Sequence, residues 1–178
     1  MPGPGRENDD RSDDVPTPSG AVVRRAREGE TVAVLRVLEG ALLDVEVATV
    51  RTAVAGGDAF VAVRDADPAT TADRTGPASD DGESPVVVGA LVRTWVDRDR
   101  STGTETRTVT VEAVAVRPSW RGRGVGTALV DAAAGDVDRL TATFRPSVRP
   151  FYASLGFETT GTADDDRVVG VLNRTPDG

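Results

Sequence analysis

Val114-Ala115-Val116-Arg117-Pro118-Ser119-Trp120-Arg121-Gly122-Arg123-Gly124-Val125-Gly126 runs from an apolar strand into three alternate glycines and then into a helical pattern. Glycine lets the backbone approach a ligand closely and adopt conformations closed to other residues. The first amides of a helix have no internal partners, and they lie beside the positive end of the helix dipole. A strand, a glycine turn and a helix start in that order therefore point to phosphate or pyrophosphate binding. Local charge agrees, because Arg117, Arg121, Arg123, Arg139, Arg145 and Arg149 stand against only Asp131, Asp136 and Asp138 between 117 and 149.

The composition narrows the choice of phosphate ligand. All 21 basic side chains are Arg, and His and Cys are both at 0. Without Lys there is no Walker-A or Schiff-base lysine. Without His and Cys there is no Ser-His-Asp triad, thiol nucleophile, disulfide or N/S-ligated metal. A dinucleotide fingerprint fits poorly as well. Its glycines open a parallel βαβ unit with an acid about 20 residues on, whereas these follow an antiparallel hairpin and the next strand ends in Thr143 and Arg145. Carboxylates, hydroxyls, Arg, Tyr and backbone amides remain to carry any chemistry.

Working outward, Ala21–Arg27 reads as a first strand, and 28–38 as a helix with Thr31 as its N-cap. Leu42 to Val54 carries apolar residues at helical spacing, ended by Gly56-Gly57. Ala59–Arg64, Pro85–Val96 and Arg107–Val116 read as strands, the last two as an antiparallel hairpin with a long connection. Gly122–Ala134 is the helix after the glycine turn. In Arg139–Arg145, Leu140, Ala142 and Phe144 alternate with threonines. Ser147–Leu155 places Val148, Phe151, Tyr152 and Leu155 on one helical face, closed by Gly156. Phe157–Thr160 and Val168–Leu172 close the pattern.

The 178 residues suit one domain, and the absence of a long apolar run or a signal pattern predicts a cytoplasmic chain. The formal charge of −8 is concentrated in two places. Five acids face two Arg in 1–20, and six face Arg74 in 65–84. Both stretches are rich in Pro, Gly, Ser, Thr and Asp, so they read as a disordered acidic tail and a flexible acidic loop flanking a domain over 21–178. The acidic, Lys-free composition looks halophilic, with a GC-rich genome as the alternative source of the Arg bias. The charge argues against a nucleic-acid partner, and nothing reads as a membrane span.

Arg121-Gly122-Arg123-Gly124-Val125-Gly126 resembles the Arg/Gln-x-x-Gly-x-Gly/Ala motif of the GNAT acetyltransferase superfamily. Pro150-Phe151-Tyr152-Ala153-Ser154-Leu155-Gly156-Phe157 resembles its second signature, with one helix and one strand between the two. The motifs cover about 107–160, and the order of elements extends the likeness over about 21–173. The resemblance implies an α/β (α+β) acyl-CoA N-acyltransferase fold. Its single mixed sheet is mostly antiparallel, with six to seven strands, splayed central strands and about four flanking helices. It implies an N-acetyltransferase using acetyl-CoA as co-substrate, with no metal. The acceptor would be a primary amine of a small molecule or a protein. The alternative is an acyl-CoA-binding regulatory module without turnover, and the oligomeric state stays open between monomer and homodimer.

Carried onto this chain, the resemblance implies that the backbone of Val114, Ala115 and Val116 bonds the pantetheine. The amides of Gly122, Arg123, Gly124, Val125, Gly126 and Thr127 would cradle the pyrophosphate, flanked by Arg121 and Arg123. Tyr152 matches the tyrosine that protonates the leaving thiolate in many members; the other reading is a packed core residue. Glu112 has the side-chain parity of Val114 and Val116 in an unbroken strand. It resembles the base of polyamine-type members, with a surface glutamate and catalysis through water as the alternatives. Arg145 stands where several members carry an Asn that touches coenzyme A. Asp164-Asp165-Asp166 reads as a solvated turn or as a hint of a cationic acceptor.

Overall fold

Val86–Trp95 and Thr108–Val116 form the middle of the molecule, an antiparallel pair around which every other element is arranged. The computed structural model describes residues 15–16, 20–41, 43, 45–64, 85–96, 106–163 and 166–174. The acidic loop 65–84, residues Asp164 and Asp165, and the acidic tail apart from Val15, Pro16 and Gly20 lie outside the described residues.

In chain order the strands are β1 (Val15–Pro16), β2 (Ala21–Arg25), β3 (Ala59–Arg64), β4 (Val86–Trp95), β5 (Thr108–Val116), β6 (Arg139–Phe144), β7 (Glu158–Ala163) and β8 (Arg167–Asn173). They make one sheet in the order β1-β2-β3-β4-β5-β6-β8-β7. Only β5–β6 is parallel. Seven strands have five or more residues; the eighth is the two-residue β1, which pairs with β2 from within the segment read as tail. The helices are α1 (Thr31–Glu39), α2 (Val47–Gly56), α3 (Val125–Ala134) and α4 (Arg149–Ser154).

Alternate residues of a strand face opposite sides, and both sides are covered. Val34, Val37 and Leu38 of α1 and Val50, Ala53 and Val54 of α2 pack with Val61, Val63, Ala90 and Val92 on one side. Leu129, Val130 and Ala133 of α3 pack with Leu91, Val109, Val111, Leu140 and Phe144 on the other. Covered on both sides, β4 is buried without a break from Val87 to Arg93.

Three local expectations change. Thr31 is the first residue of α1 rather than its cap. A 3-10 turn, Glu28–Glu30, precedes it, and the Glu30 carboxylate accepts the Arg27 amide at 2.8 Å. Helix α2 starts at Val47 instead of Leu42 because Glu46 is extended (φ −61, ψ 133), so Leu43 packs on the core from the preceding loop. Ahead of α4, Pro146–Val148 is a 3-10 turn. Its three residues per turn rotate Val148 off the packed face, leaving it 43% exposed.

Candidate active site

Gly122 (φ 71) and Gly124 (φ 78) are left-handed, which is the backbone requirement behind two of the three alternate glycines. Gly124 caps α3, and its carbonyl receives the Ala128 amide at 3.0 Å. The amides of the first helical turn, Val125 to Thr127, are therefore left without intrahelical acceptors at the helix mouth. Gly126 serves space rather than conformation: a Cβ there would lie 3.2 Å from the Phe151 ring, so its absence lets α4 close against the start of α3. Val125 is buried, whereas Arg121, Gly122, Arg123, Gly124 and Thr127 are exposed. Arg121 Nε donates to the Val116 carbonyl at 3.1 Å, tying the turn to the end of β5. The Arg123 guanidinium lies 5.3 Å from the Trp120 ring centroid.

Strand β5 has two different edges. Toward β4 it is paired from Val109 to Val116. Toward β6 its pairing runs only from Thr108↔Arg139 to Val111↔Ala142. From Glu112 to Val116, no strand among the described residues pairs with β5 on that side. The peptide groups of Val114, Ala115 and Val116 thus border a slot between β5 and the end of β6, and the slot leads to the glycine turn.

Glu112 sits where the slot begins, and here the expected parity fails. Val92 pairs with Ala113 and Arg93 with Val111, so Glu112 is an extra residue in a β-bulge. The bulge resets the alternation: Val111 and Val114 both join the α3 side, while Ala113 and Ala115 face α1 and α2. Glu112 instead reaches Thr94, whose hydroxyl donates to Oε1 at 2.6 Å. Thr94 lines a groove with residues of α2, so the carboxylate lies on the α2 side of the sheet, opposite Val114 and Val116.

Tyr152 is 6% exposed and stacks on Phe144, the last residue of β6, with centroids 4.1 Å apart and planes 10° from parallel. Phe151 and Phe157 meet it edge-on at 5.2 and 5.1 Å. Burial pushes its hydroxyl up to about pKa 12, so it holds its proton throughout the neutral range. The packed ring stands against Phe144 at the end of β6, as the core reading expects.

A family model described as an acetyltransferase (GNAT) domain matches residues 78–159, which hold the bulge, the slot, the glycine turn and Tyr152. Over those residues the chain is similar to GNAT acetyltransferases. Solved structures with the same fold include Arabidopsis thaliana NAA60 in complex with acetyl-CoA, at 15% identity and a TM-score of 0.62, covering 86% of this chain and 98% of that one. Ard1 from Thermoplasma volcanium matches at 17% identity and 0.62, covering 86% and 97%. Diaminobutyrate acetyltransferase EctA from Paenibacillus lautus, with its substrate and coenzyme A, matches at 17% and 0.57, covering 87% and 95%. No curated protein sequence matches.

The chain also holds a charge cluster that is not evident in the sequence. Arg93 of β4 is 1% exposed. Its Nε donates to Asp58 at 3.0 Å, and its terminal nitrogens donate to Asp136 at 2.6 and 2.9 Å and to the Ala133 carbonyl. Asp58 also accepts the Trp95 indole N–H at 2.9 Å, and Asp136 accepts Arg25 at 3.0 Å. The hydrogen bond from Arg93 holds the Asp136 carboxyl below its ordinary range against the opposing effect of burial. A signal was present: an Arg inside an apolar strand run must be paired if buried. Its partners Asp58 and Asp136 each directly follow a glycine just past a helix end.

Proposed function

We propose that this protein transfers an acetyl group from acetyl-CoA to a primary amine without a covalent enzyme intermediate. The observation that carries the reading is the continuous path from the open edge of β5 into the glycine turn. The strand edge supplies peptide donors and acceptors for an amide-bearing arm, and the turn supplies free amides with Arg121 and Arg123 for a pyrophosphate. Acetyl-CoA has those two parts in that order, joined end to end, and it supplies the acetyl thioester.

The chain's own residues then position reactants and handle two protons. Glu112, at the mouth of the slot, accepts a proton from the amine directly or through one water. Tyr152, protonated across the neutral range, donates to the departing sulfur. The absence of His, Cys and Lys costs this route nothing, since neither role needs them.

The test joins calorimetry of acetyl-CoA binding with rates over a panel of primary amines. Wild type is expected to bind acetyl-CoA and acetylate at least one amine. Tyr152→Phe is expected to keep the binding and lose about 100-fold in kcat. No acetyl-CoA binding by wild type sinks the reading. Binding without turnover on any amine leaves a coenzyme-A-binding module in its place.

A further inference from the structure

A groove lies beside Thr94, the residue bonded to Glu112. Its volume is about 340 Å³, and it lies between α2 and the end of β4, lined by Ala48, Thr49, Thr52, Ala53, Asp58, Arg93, Thr94 and Trp95. The two charges in that lining are engaged with each other: Arg93 Nε is 3.0 Å from Asp58 Oδ1. The second Asp58 oxygen holds the Trp95 indole N–H at 2.9 Å, and the terminal nitrogens of Arg93 point to Asp136 and Ala133. What the groove offers a ligand is therefore chiefly apolar: two alanines, threonine methyls and the ring of Trp95, which is 45% exposed. Asp58 fixes that ring by its nitrogen, and the Arg93 guanidinium lies 5.6 Å from its centroid. At Thr94 the groove has a polar end, since the Thr94 hydroxyl is bonded to Glu112 Oε1 at 2.6 Å.

We infer that this groove is the acceptor site and that it takes a small primary amine with an apolar, flat body, such as an arylalkylamine. The body packs on Trp95 between α2 and β4, and the amine lies toward Thr94 and Glu112 at the mouth of the slot. A cavity of this size holds a ring and a short chain rather than a folded polypeptide segment. A second cationic centre on the acceptor finds no unengaged carboxylate among the groove's lining residues. The inference rests on the acetyl-transfer reading for its reaction, but the ligand preference stands on the groove alone.

The experiment uses the full chain with saturating acetyl-CoA and compares 2-phenylethylamine, ethylamine, 1,4-diaminobutane and a tetrapeptide. We expect kcat/KM for 2-phenylethylamine about tenfold or more above that for ethylamine, from burial of the ring. Trp95→Ala is expected to erase that ratio through KM with kcat within about twofold, and Trp95→Phe to restore most of it. A preference for 1,4-diaminobutane or the tetrapeptide, or a ratio unchanged in Trp95→Ala, overturns the inference while acetyl transfer survives. The Trp95 indole N–H resonance, followed as 2-phenylethylamine is titrated into the coenzyme-A-saturated protein, gives a readout that needs no turnover. If it shifts saturably and no amine is acetylated, the groove assignment holds and the catalytic reading falls. If it does not move, the groove assignment falls whatever the rates show.

Discussion

Arg93 and Arg121 present the same guanidinium under opposite conditions. Arg93 is buried at the end of β4 and divides its donors among Asp58, Asp136 and a helix-end carbonyl. Arg121 is exposed at the glycine turn and, among the described residues, is bonded to the Val116 carbonyl alone, and Arg123 beside it stacks on Trp120. Among the described residues, neither Arg121 nor Arg123 is in an ion pair. An arginine whose partners are all within the chain serves the architecture. Under the proposed function, Arg121 and Arg123, without a counter-charge among the described residues, would meet the pyrophosphate.

The sharpest way to break this contrast is Arg93→Ala. It leaves Asp58 without its cation and Asp136 with Arg25 alone, and removing one partner of a buried pair costs about 3–5 kcal/mol. Denaturant unfolding should show a loss of that size, and a change under 1 kcal/mol would mean the cluster is ornamental. The double variant Arg121→Ala/Arg123→Ala should do the reverse. Its unfolding free energy stays within about 0.5 kcal/mol of wild type. Its acetyl-CoA affinity falls about tenfold to a hundredfold with the loss of charge-assisted contacts to phosphate. Unchanged affinity would place the pyrophosphate elsewhere.

The smallest effect is on acid stability. Arg93 and Arg25 depress the Asp136 carboxyl below its ordinary 3.8, so its folded pKa is below its unfolded one. The stability it contributes is complete above the unfolded value and is lost as pH falls through the folded value. Unfolding free energy should decline below about pH 4 in wild type, and the decline should be shallower in Asp136→Asn. Equal slopes would remove Asp136 from the account.

Sequence legibility divides along the same line. The glycine turn could be read because its requirements are local: positive φ at Gly122 and Gly124, a helix start, and a strand before it. Tyr152 could be read for the same reason, as part of a contiguous signature. The bulge could not. Thr110-Val111-Glu112-Ala113-Val114 reads as part of one continuous strand, and the extra residue emerges only when β4 fixes which residues pair. The carboxylate of Glu112 therefore faces α2, the side opposite the expected one. The Arg93 cluster joins residues 35 and 43 positions apart, beyond any periodic pattern. The groove was hidden for a related reason, since its walls come from α2 and β4, on either side of the long loop.

The parallel pairing of β5 with β6 ends after Val111↔Ala142. Mechanically, the sheet is two blades, β1 to β5 and β6-β8-β7, pinned together at one end like tongs. Under the proposed function, acetyl-CoA lying along the open seam would bond to one blade and pack on the other, so that occupancy would act as a staple. The free energy of binding is then also free energy that resists separation of the blades, and the three-stranded blade becomes most resistant to opening when the co-substrate is in place.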